Sequence, residues 1–167
     1  MEKIAKNLLG VFGILGDFWA LTIVSCIPFI ELRLAIPLGL SLGMPWYESF
    51  LISFISNCVP IPFVILLTRP IFGWLKKRKM FEKFVKKFEE KMMQKSEKVT
   101  KYEVLGLFLF VAIPIPGTGA YSGAVIAALL NMRLSKAIPS IAAGIFVAGI
   151  IVTIITYGTA SIVGAAF

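Results

Sequence analysis

Five long stretches of the chain carry no charged residue, and they define its predicted elements. They are residues 18–30, 34–47, 49–68, 104–132 and 137–167. A helix needs about 20 apolar residues to cross the hydrocarbon core of a membrane. The third and fifth stretches are therefore predicted to form two long transmembrane helices, whereas the first two stretches are each too short to cross alone.

A charged pair, Glu31 and Arg33, separates the first two stretches, with Pro28 and Pro37 on either side. Proline removes a helical hydrogen bond, and broken backbone at membrane depth is tolerated only where it is buried in protein or lines a wet cavity. We therefore predict a re-entrant hairpin, in which one short helix enters the membrane, the chain turns between the prolines, and a second short helix returns to the same side. The alternative is an ion pair that only holds two helices together.

The fourth stretch, residues 104–132, is interrupted in the same way. As a straight helix its 29 residues would reach about 43 Å, well beyond a hydrocarbon core of about 30 Å. Its centre cannot be continuous helix because it contains Pro114, Pro116, Gly117 and Gly119. We predict a second re-entrant hairpin, whose tip exposes backbone amides and carries Thr118 and Tyr121.

The sequence does not decide where the segment before the first hairpin lies. Residues 1–16 contain about 12 apolar or small residues, fewer than a confident span requires. They fit either a short first span or a helix at the membrane interface. Asp17, which follows, is the predicted N-cap of the first hairpin helix.

The net charge of +8 is concentrated in one segment, residues 76–103, which holds 11 Lys/Arg and 5 Asp/Glu. Its apolar residues follow the rhythm of one helix face: Phe81, Phe84, Val85, Phe88 and Met92. We predict an amphipathic helix on the cytoplasmic surface, since positive charge marks the inner side of membrane proteins. A solvated connector is the alternative. The segment gives no reason to infer nucleic-acid binding.

The charges of the two short turns indicate a repeat of opposite orientation. The turn around Pro45 has no Lys or Arg, whereas the matching turn of the second half contains Arg133 and Lys136. One turn is therefore predicted outside and the other inside. The predicted fold is all-α integral membrane, a single transmembrane domain over 1–167 with an inverted-topology repeat. Its parts are a first repeat at about 17–75, the linker 76–103 and a second repeat 104–167.

Composition excludes several function classes. The chain is 58% hydrophobic and contains no histidine, so it lacks the commonest general base and metal ligand. No phosphate-binding loop, GxSxG or HExxH motif is present. Cys26 and Cys58 lack CxxC spacing and fit small buried residues. We expect no enzyme activity, no cofactor and no metal.

Two strings of residues resemble a known family. Ile-Glu-Leu-Arg-x-x-Ile-Pro-x-Gly (residues 30–39) and Pro-x-Pro-Gly-Thr-Gly-Ala-aromatic-x-Gly-Ala (residues 114–124) resemble the small multidrug export proteins. That family looks like a relative of the DedA superfamily, whose members share paired re-entrant hairpins and in some cases are implicated in moving lipid phosphates. The resemblance implies a membrane transporter. Further acidic and arginine residues of the DedA hairpin region are absent here.

The candidate substrate-binding residues are those of the two hairpin tips: Glu31, Arg33, Pro37, Pro114, Pro116, Gly117, Thr118, Gly119 and Tyr121. Secondary candidates are Asp17, Asn57 and Arg133. All the formal charge of the predicted midplane site comes from the first repeat.

Two transport hypotheses follow, of which we favour the first and keep the second as its alternative. In the first, Arg33 binds an anionic lipid carrier, such as a polyprenyl phosphate or a phospholipid, and Glu31 releases it by taking up a proton. In the second, Glu31 binds either a proton or a small cationic compound, which is then exported; Arg33 argues against this because it repels cations. Both place the protein in the cell membrane as a multi-pass protein, with membrane lipids and protons as partners. Glycine-rich faces would permit a homo-oligomer.

Overall fold

A computed structural model of the chain describes residues 16–28, 30–76, 87, 90, 104–115 and 118–165. Its helices, in chain order, are α1 (Asp17–Cys26), α2 (Glu31–Ser41), α3 (Trp46–Cys58), α4 (Ile61–Lys76), α5 (Val104–Ala112), α6 (Ala120–Leu129) and α7 (Leu134–Ala165). The described residues contain no β-strand. The prediction of an all-helical fold is confirmed.

Two stretches, Trp46–Phe72 and Leu134–Ser161, are long and apolar enough to cross a membrane by length and composition. Both predicted long helices are therefore confirmed as candidate spans. Large apolar side chains also lie exposed along the helices, among them Trp19, Leu34, Ile55, Phe63 and Ile154. Such an apolar surface suits contact with lipid tails, which are as apolar as leucine.

The chain divides into two compact units. The first unit comprises the chain up to Asn57 together with the part from Gly149 onward, and the second unit runs from Cys58 to Ala148. Helix α7 contributes residues to both units. In the first unit, α1 packs against α2, and its apolar core includes Leu21 of α1 and Ile36 of α2.

The second unit is packed through small residues. Helix α6 lies along α4 and against α5. A Cβ added at Gly123 of α6 would lie 2.7 Å from Val111 Cγ2, and one added at Gly144 of α7 would lie 2.7 Å from Val111 Cβ. Glycine is thus required where α6 and α7 approach α5. The Ser140 hydroxyl donates to the Val104 carbonyl at 2.6 Å, which adds a polar tie between α7 and α5.

The two interrupted stretches each form a pair of short packed helices. Helices α1 and α2 contact each other, as do α5 and α6, and each has between 9 and 11 residues. A helix of ten residues is about 15 Å long, half the hydrocarbon core. The breaks therefore fall where the prolines predicted them, and each pair is a helical hairpin.

The first break is shorter than predicted. Helix α1 ends at Cys26, and α2 already begins at Glu31 and continues through Pro37. Placing Pro37 in the turn was therefore wrong. A single proline is accommodated inside α2, although it cannot donate the bond that the Arg33 carbonyl would accept in a regular helix.

The third uncharged stretch is not one continuous helix: α3 ends at Cys58, residues 59–60 form a turn, and α4 begins at Ile61. The prediction of Asp17 as N-cap is wrong: Gly16 occupies that position with φ of 78°, and Asp17 is the first helical residue. Glycine adopts this backbone conformation without steric cost. Residues 1–15 and nearly all of the linker 76–103 lie outside the described residues.

Candidate functional site

The turn of the first hairpin delivers Glu31 to the protein interior. The Glu31 backbone amide donates to the Ile27 carbonyl at 3.1 Å, which closes the turn. Glu31 itself has φ of 51°, a left-handed conformation that non-glycine residues seldom adopt. Such a residue costs on the order of 1–3 kcal/mol and is retained where the surrounding structure enforces it.

Glu31 and Arg33 differ in their exposure. Glu31 is only 6% exposed, whereas Arg33 is half-buried and its neighbour Leu34 is exposed. The charges of Glu31 and Arg33 act on each other. A buried charge requires such compensation, because an isolated one is very costly in an apolar interior. The acid is therefore the inner member of the pair and the guanidinium the outer member.

Helix α3 turns a polar face inward and an apolar face outward. Its buried residues are Ser49, Ser53, Ser56 and Asn57, which recur at the spacing of one helix face. Leu51 and Ile55 on the same helix are exposed. In a water-soluble protein this distribution would be reversed. We name these four buried residues the polar face of α3.

Two contacts join the polar face of α3 to the first hairpin. The Cys26 thiol donates to the Ser56 carbonyl at 3.2 Å, at the turn end of α1. Gly39 of α2 lies against Ser49, where an added Cβ would stand 2.8 Å from Ser49 Cβ. The hairpin is therefore held against α3 near both ends of the polar face.

Helix α7 contacts the polar face of α3 near the start of α3. The Tyr157 hydroxyl donates to the Met44 carbonyl at 2.8 Å and lies 2.7 Å from the Ser49 hydroxyl. Ser49 is thus satisfied, and Tyr157 ties the α2–α3 turn to α7. Earlier on α7, Gly149 lies against the Phe50 ring. A Cβ added at Gly149 would stand 2.7 Å from Phe50 Cε2.

Four of the buried polar residues have side-chain atoms without a hydrogen-bond partner among the described protein groups. These atoms are Ser25 Oγ, Ser53 Oγ, Asn57 Nδ2 and Oδ1, and Thr153 Oγ1. All four residues belong to the first unit. Because buried polar groups are almost always paired, these atoms could accept water or a ligand as their partner.

In the second hairpin tip, the Thr118 side chain bonds to backbone carbonyls of the same tip. The Thr118 hydroxyl lies 2.9 Å from the Ile113 carbonyl and 2.8 Å from that of Ile115, and it donates its proton to this pair. Gly119 is buried with φ of 146° and precedes α6. Pro114 and Tyr121 are half-buried. The predicted site residues Pro116 and Gly117 lie outside the described residues.

The secondary candidates lie in three different places. Asp17 is exposed at the start of α1 and Arg133 is exposed before α7. Asn57 is fully buried on the polar face of α3. Asn57 is the only member of that face predicted from the sequence; the spacing of the serines in an uncharged run is the signal that points to the others.

Arg69 was also missed as a structural residue. Its Nη2 donates to the Met132 carbonyl at 2.8 Å and so ties α4 to the turn before α7. Among the described residues there is no group of three or more His, Cys, Asp or Glu side chains that could hold a metal ion.

Exposed apolar side chains, two candidate spans and a charged pair with a buried acid define the class as a membrane protein with buried polar residues, an arrangement typical of transport sites. Residues 31–151 match the family described as "Putative small multi-drug export protein". The chain belongs to this family, whose description is that of a membrane transporter. No curated protein and no solved structure matches the chain.

Proposed function

We propose that the protein exports small cationic compounds in exchange for protons and that Glu31 is the group that binds either one. The observation that carries this proposal is the burial of Glu31, at 6% exposure, in the unit whose helix α3 also buries a polar face. An ionisable residue at membrane depth is expensive and is retained mainly for function. The family description, which names drug export, supports a small-molecule cargo.

Arg33 serves in this proposal as the resident counter-ion of Glu31. A buried carboxylate needs a positive partner when no cargo is present. Because Arg33 is half-buried rather than enclosed, its guanidinium can withdraw toward the surface when a cationic compound reaches Glu31. A proton that later binds Glu31 neutralises the carboxylate and releases the cargo. This role answers the objection that Arg33 repels cations.

A second candidate function is the movement of an anionic lipid, either a phospholipid or a polyprenyl phosphate. One observation favours it: Arg33 is the outer member of the charged pair and adjoins exposed Leu34. A phosphate headgroup arriving from the lipid would meet Arg33 before Glu31. The family description does not name lipid cargo, so we place this function second.

The topology proposed for this transporter is an inverted repeat of two re-entrant hairpins. Its support is the shared plan of the two halves, a pair of short packed helices followed by a candidate span. The turn at 42–45 lacks Lys and Arg, whereas Arg133 lies in the turn at 130–133. The linker 76–103 would then lie in the cytoplasm.

The topology can be tested by cysteine labelling. Cys26 and Cys58 are first replaced by serine, and single cysteines are introduced as Asp17→Cys and Pro45→Cys. A membrane-impermeant maleimide should label both from the same side if the first hairpin is re-entrant. Labelling from opposite sides would show that residues 17–45 span the membrane.

The two cargo hypotheses are separated by reconstitution. Liposomes that are acidic inside should take up ethidium when they contain the wild-type protein, and Glu31→Gln should abolish that uptake. In parallel, the movement of a fluorescent phosphatidic acid between leaflets is followed for wild type and Arg33→Ala. Absence of ethidium uptake together with lipid movement that Arg33→Ala stops would reverse our ranking.

A further inference from the structure

The unpartnered polar atoms of the first unit call for partners other than the described protein groups. Ser25, Ser53 and Asn57 are 0% exposed and Thr153 is 8% exposed, yet none of the atoms named above is paired within the described residues. Water is the usual partner in polar regions of this kind, where it makes about three hydrogen bonds.

Their spacing suits a chain of single waters. Ser49, Ser53 and Asn57 follow one another at four-residue intervals, which correspond to about 6 Å along a helix. One water that makes two hydrogen bonds of about 2.8 Å bridges that distance. Thr153 lies one turn before Tyr157 on α7, and the Tyr157 hydroxyl reaches Ser49. The hydroxyls of both helices therefore belong to one polar region.

The far end of the polar face lies near Glu31. Cys26 bonds to Ser56, the neighbour of Asn57, and Glu31 bonds to Ile27, the neighbour of Cys26. The helix lengths agree with this placement. Gly39 of α2 contacts Ser49 of α3, Glu31 lies eight residues before Gly39, and Asn57 lies eight residues after Ser49. Each of the two is therefore about 12 Å along its helix from that contact.

We propose that Ser49, Ser53 and Asn57 of α3, with Ser25 and Thr153, line an internal hydrated path that carries protons between the Tyr157 end of α3 and Glu31. This proposal rests on the proposed proton exchange and identifies the route that the protons take. In the described part of the first unit the other titratable or charged groups are Asp17, Cys26, Arg33, Tyr47, Glu48 and Tyr157. Asp17, Tyr47 and Glu48 are exposed, which leaves Glu31 as the buried acid that the path can serve.

The test measures proton flux directly and needs no cargo. Liposomes that contain the protein are loaded with the pH-sensitive dye pyranine, and a potassium gradient with valinomycin makes the interior negative. Wild type should admit protons faster than protein-free liposomes, and Glu31→Gln should not. Ser53→Ala and Thr153→Val should each reduce the flux about tenfold, the effect of a barrier raised by about 1.4 kcal/mol.

The matched control is Thr159→Val on the same helix. Thr159 is exposed and its hydroxyl donates to the Ile155 carbonyl of its own helix at 2.6 Å, so the flux should stay at the wild-type rate. Thr153→Ser, which keeps the hydroxyl, should restore most of the flux lost in Thr153→Val; this rescue also excludes misfolding as the cause.

Three results would overturn the path: a wild-type flux equal to that of protein-free liposomes, wild-type flux in both Ser53→Ala and Thr153→Val, or flux driven by sodium but not by protons. Cargo is tested separately. If ethidium is not taken up while the proton flux shows the predicted pattern, the proposed cargo fails and the path stands.

Discussion

The two units of the chain differ in what they bury. Of the nine buried polar or charged residues in the described part, seven lie in the first unit: Ser25, Glu31, Ser49, Ser53, Ser56, Asn57 and Thr153. The other two, Thr68 and Ser140 in the second unit, both donate to backbone carbonyls. The second unit thus resembles a packed scaffold, and the first keeps polar groups inside at an energetic cost.

This difference teaches where to look for function in a membrane protein with few charges. An unpaired buried hydroxyl or amide costs about 1–3 kcal/mol, and packing alone gives no reason to keep four such residues in one unit. In the second unit, close helix approach at Gly123 and Gly144 accounts for the packing of the helices, and no ligand is needed to explain it.

The first prediction compares one buried polar residue from each unit. Glu31→Gln should lower proton-driven ethidium uptake by about a hundredfold or more, the scale of a lost proton-transfer group. Ser140→Ala, which removes the hydroxyl bond to Val104, should leave uptake within about twofold because its cost falls on stability, at about 1 kcal/mol. Uptake in reconstituted liposomes and thermal unfolding in detergent measure both effects. Equal losses of uptake in the two variants would remove the distinction between the units.

The second prediction concerns the charged pair itself. Arg33→Gln should destabilise the protein by about 1–3 kcal/mol, because it leaves the buried Glu31 carboxylate uncompensated. Adding Glu31→Gln to that variant should recover most of the loss, and a double-mutant cycle on thermal unfolding measures the coupling. Additive effects of the two substitutions would contradict their role as mutual counter-ions.

The third prediction concerns packing in the second unit. Gly144→Ala should destabilise by about 1–3 kcal/mol, because its new Cβ would meet Val111 and the Phe108 carbonyl. Gly158→Ala is the matched control on the same helix, since nothing lies within 4 Å of its added Cβ. Thermal unfolding should separate the two variants clearly. A stable Gly144→Ala protein would mean that α5 and α7 can move apart without cost.

The fourth prediction is the smallest. Arg69→Met should lose the hydrogen bond to the Met132 carbonyl and destabilise by about 1 kcal/mol, with transport retained. Lys136→Met, an exposed cation close to the same turn, serves as the charge-matched control. If both variants lose transport equally, the positive charge near this turn matters more than the contact of Arg69.

Much of the fold could be predicted from local sequence, because proline and charge act locally. The breaks near Pro28 and Pro114 and the interruption before Ile61 follow from lost helical hydrogen bonds. The exact bounds did not follow, since tertiary packing can hold one proline such as Pro37 inside a helix. The inverted topology, the cytoplasmic linker and the relation to the DedA superfamily stay predictions.

The site was predicted only in part. Glu31 and Arg33 stand out in any sequence of this kind because charges are rare in apolar segments. Serine and threonine do not stand out in the same way, since a hydroxyl can bond to its own helix, as Thr159 does, or remain buried and unpaired, as Thr153 does. Only the fold distinguishes these two cases.

The most direct test of our central claim is the reaction of Glu31 with dicyclohexylcarbodiimide, a reagent that modifies protonated carboxyls in apolar surroundings. Mass spectrometry of the intact protein and its peptides follows the modification in liposomes. We predict that Glu31 is modified faster at pH 6 than at pH 8, that ethidium slows the reaction, and that exposed Asp17 and Glu48 show no such protection. A Glu31 that stays unmodified at both pH values, or whose modification ethidium leaves unchanged, would contradict the claim that this carboxyl exchanges a proton for cargo.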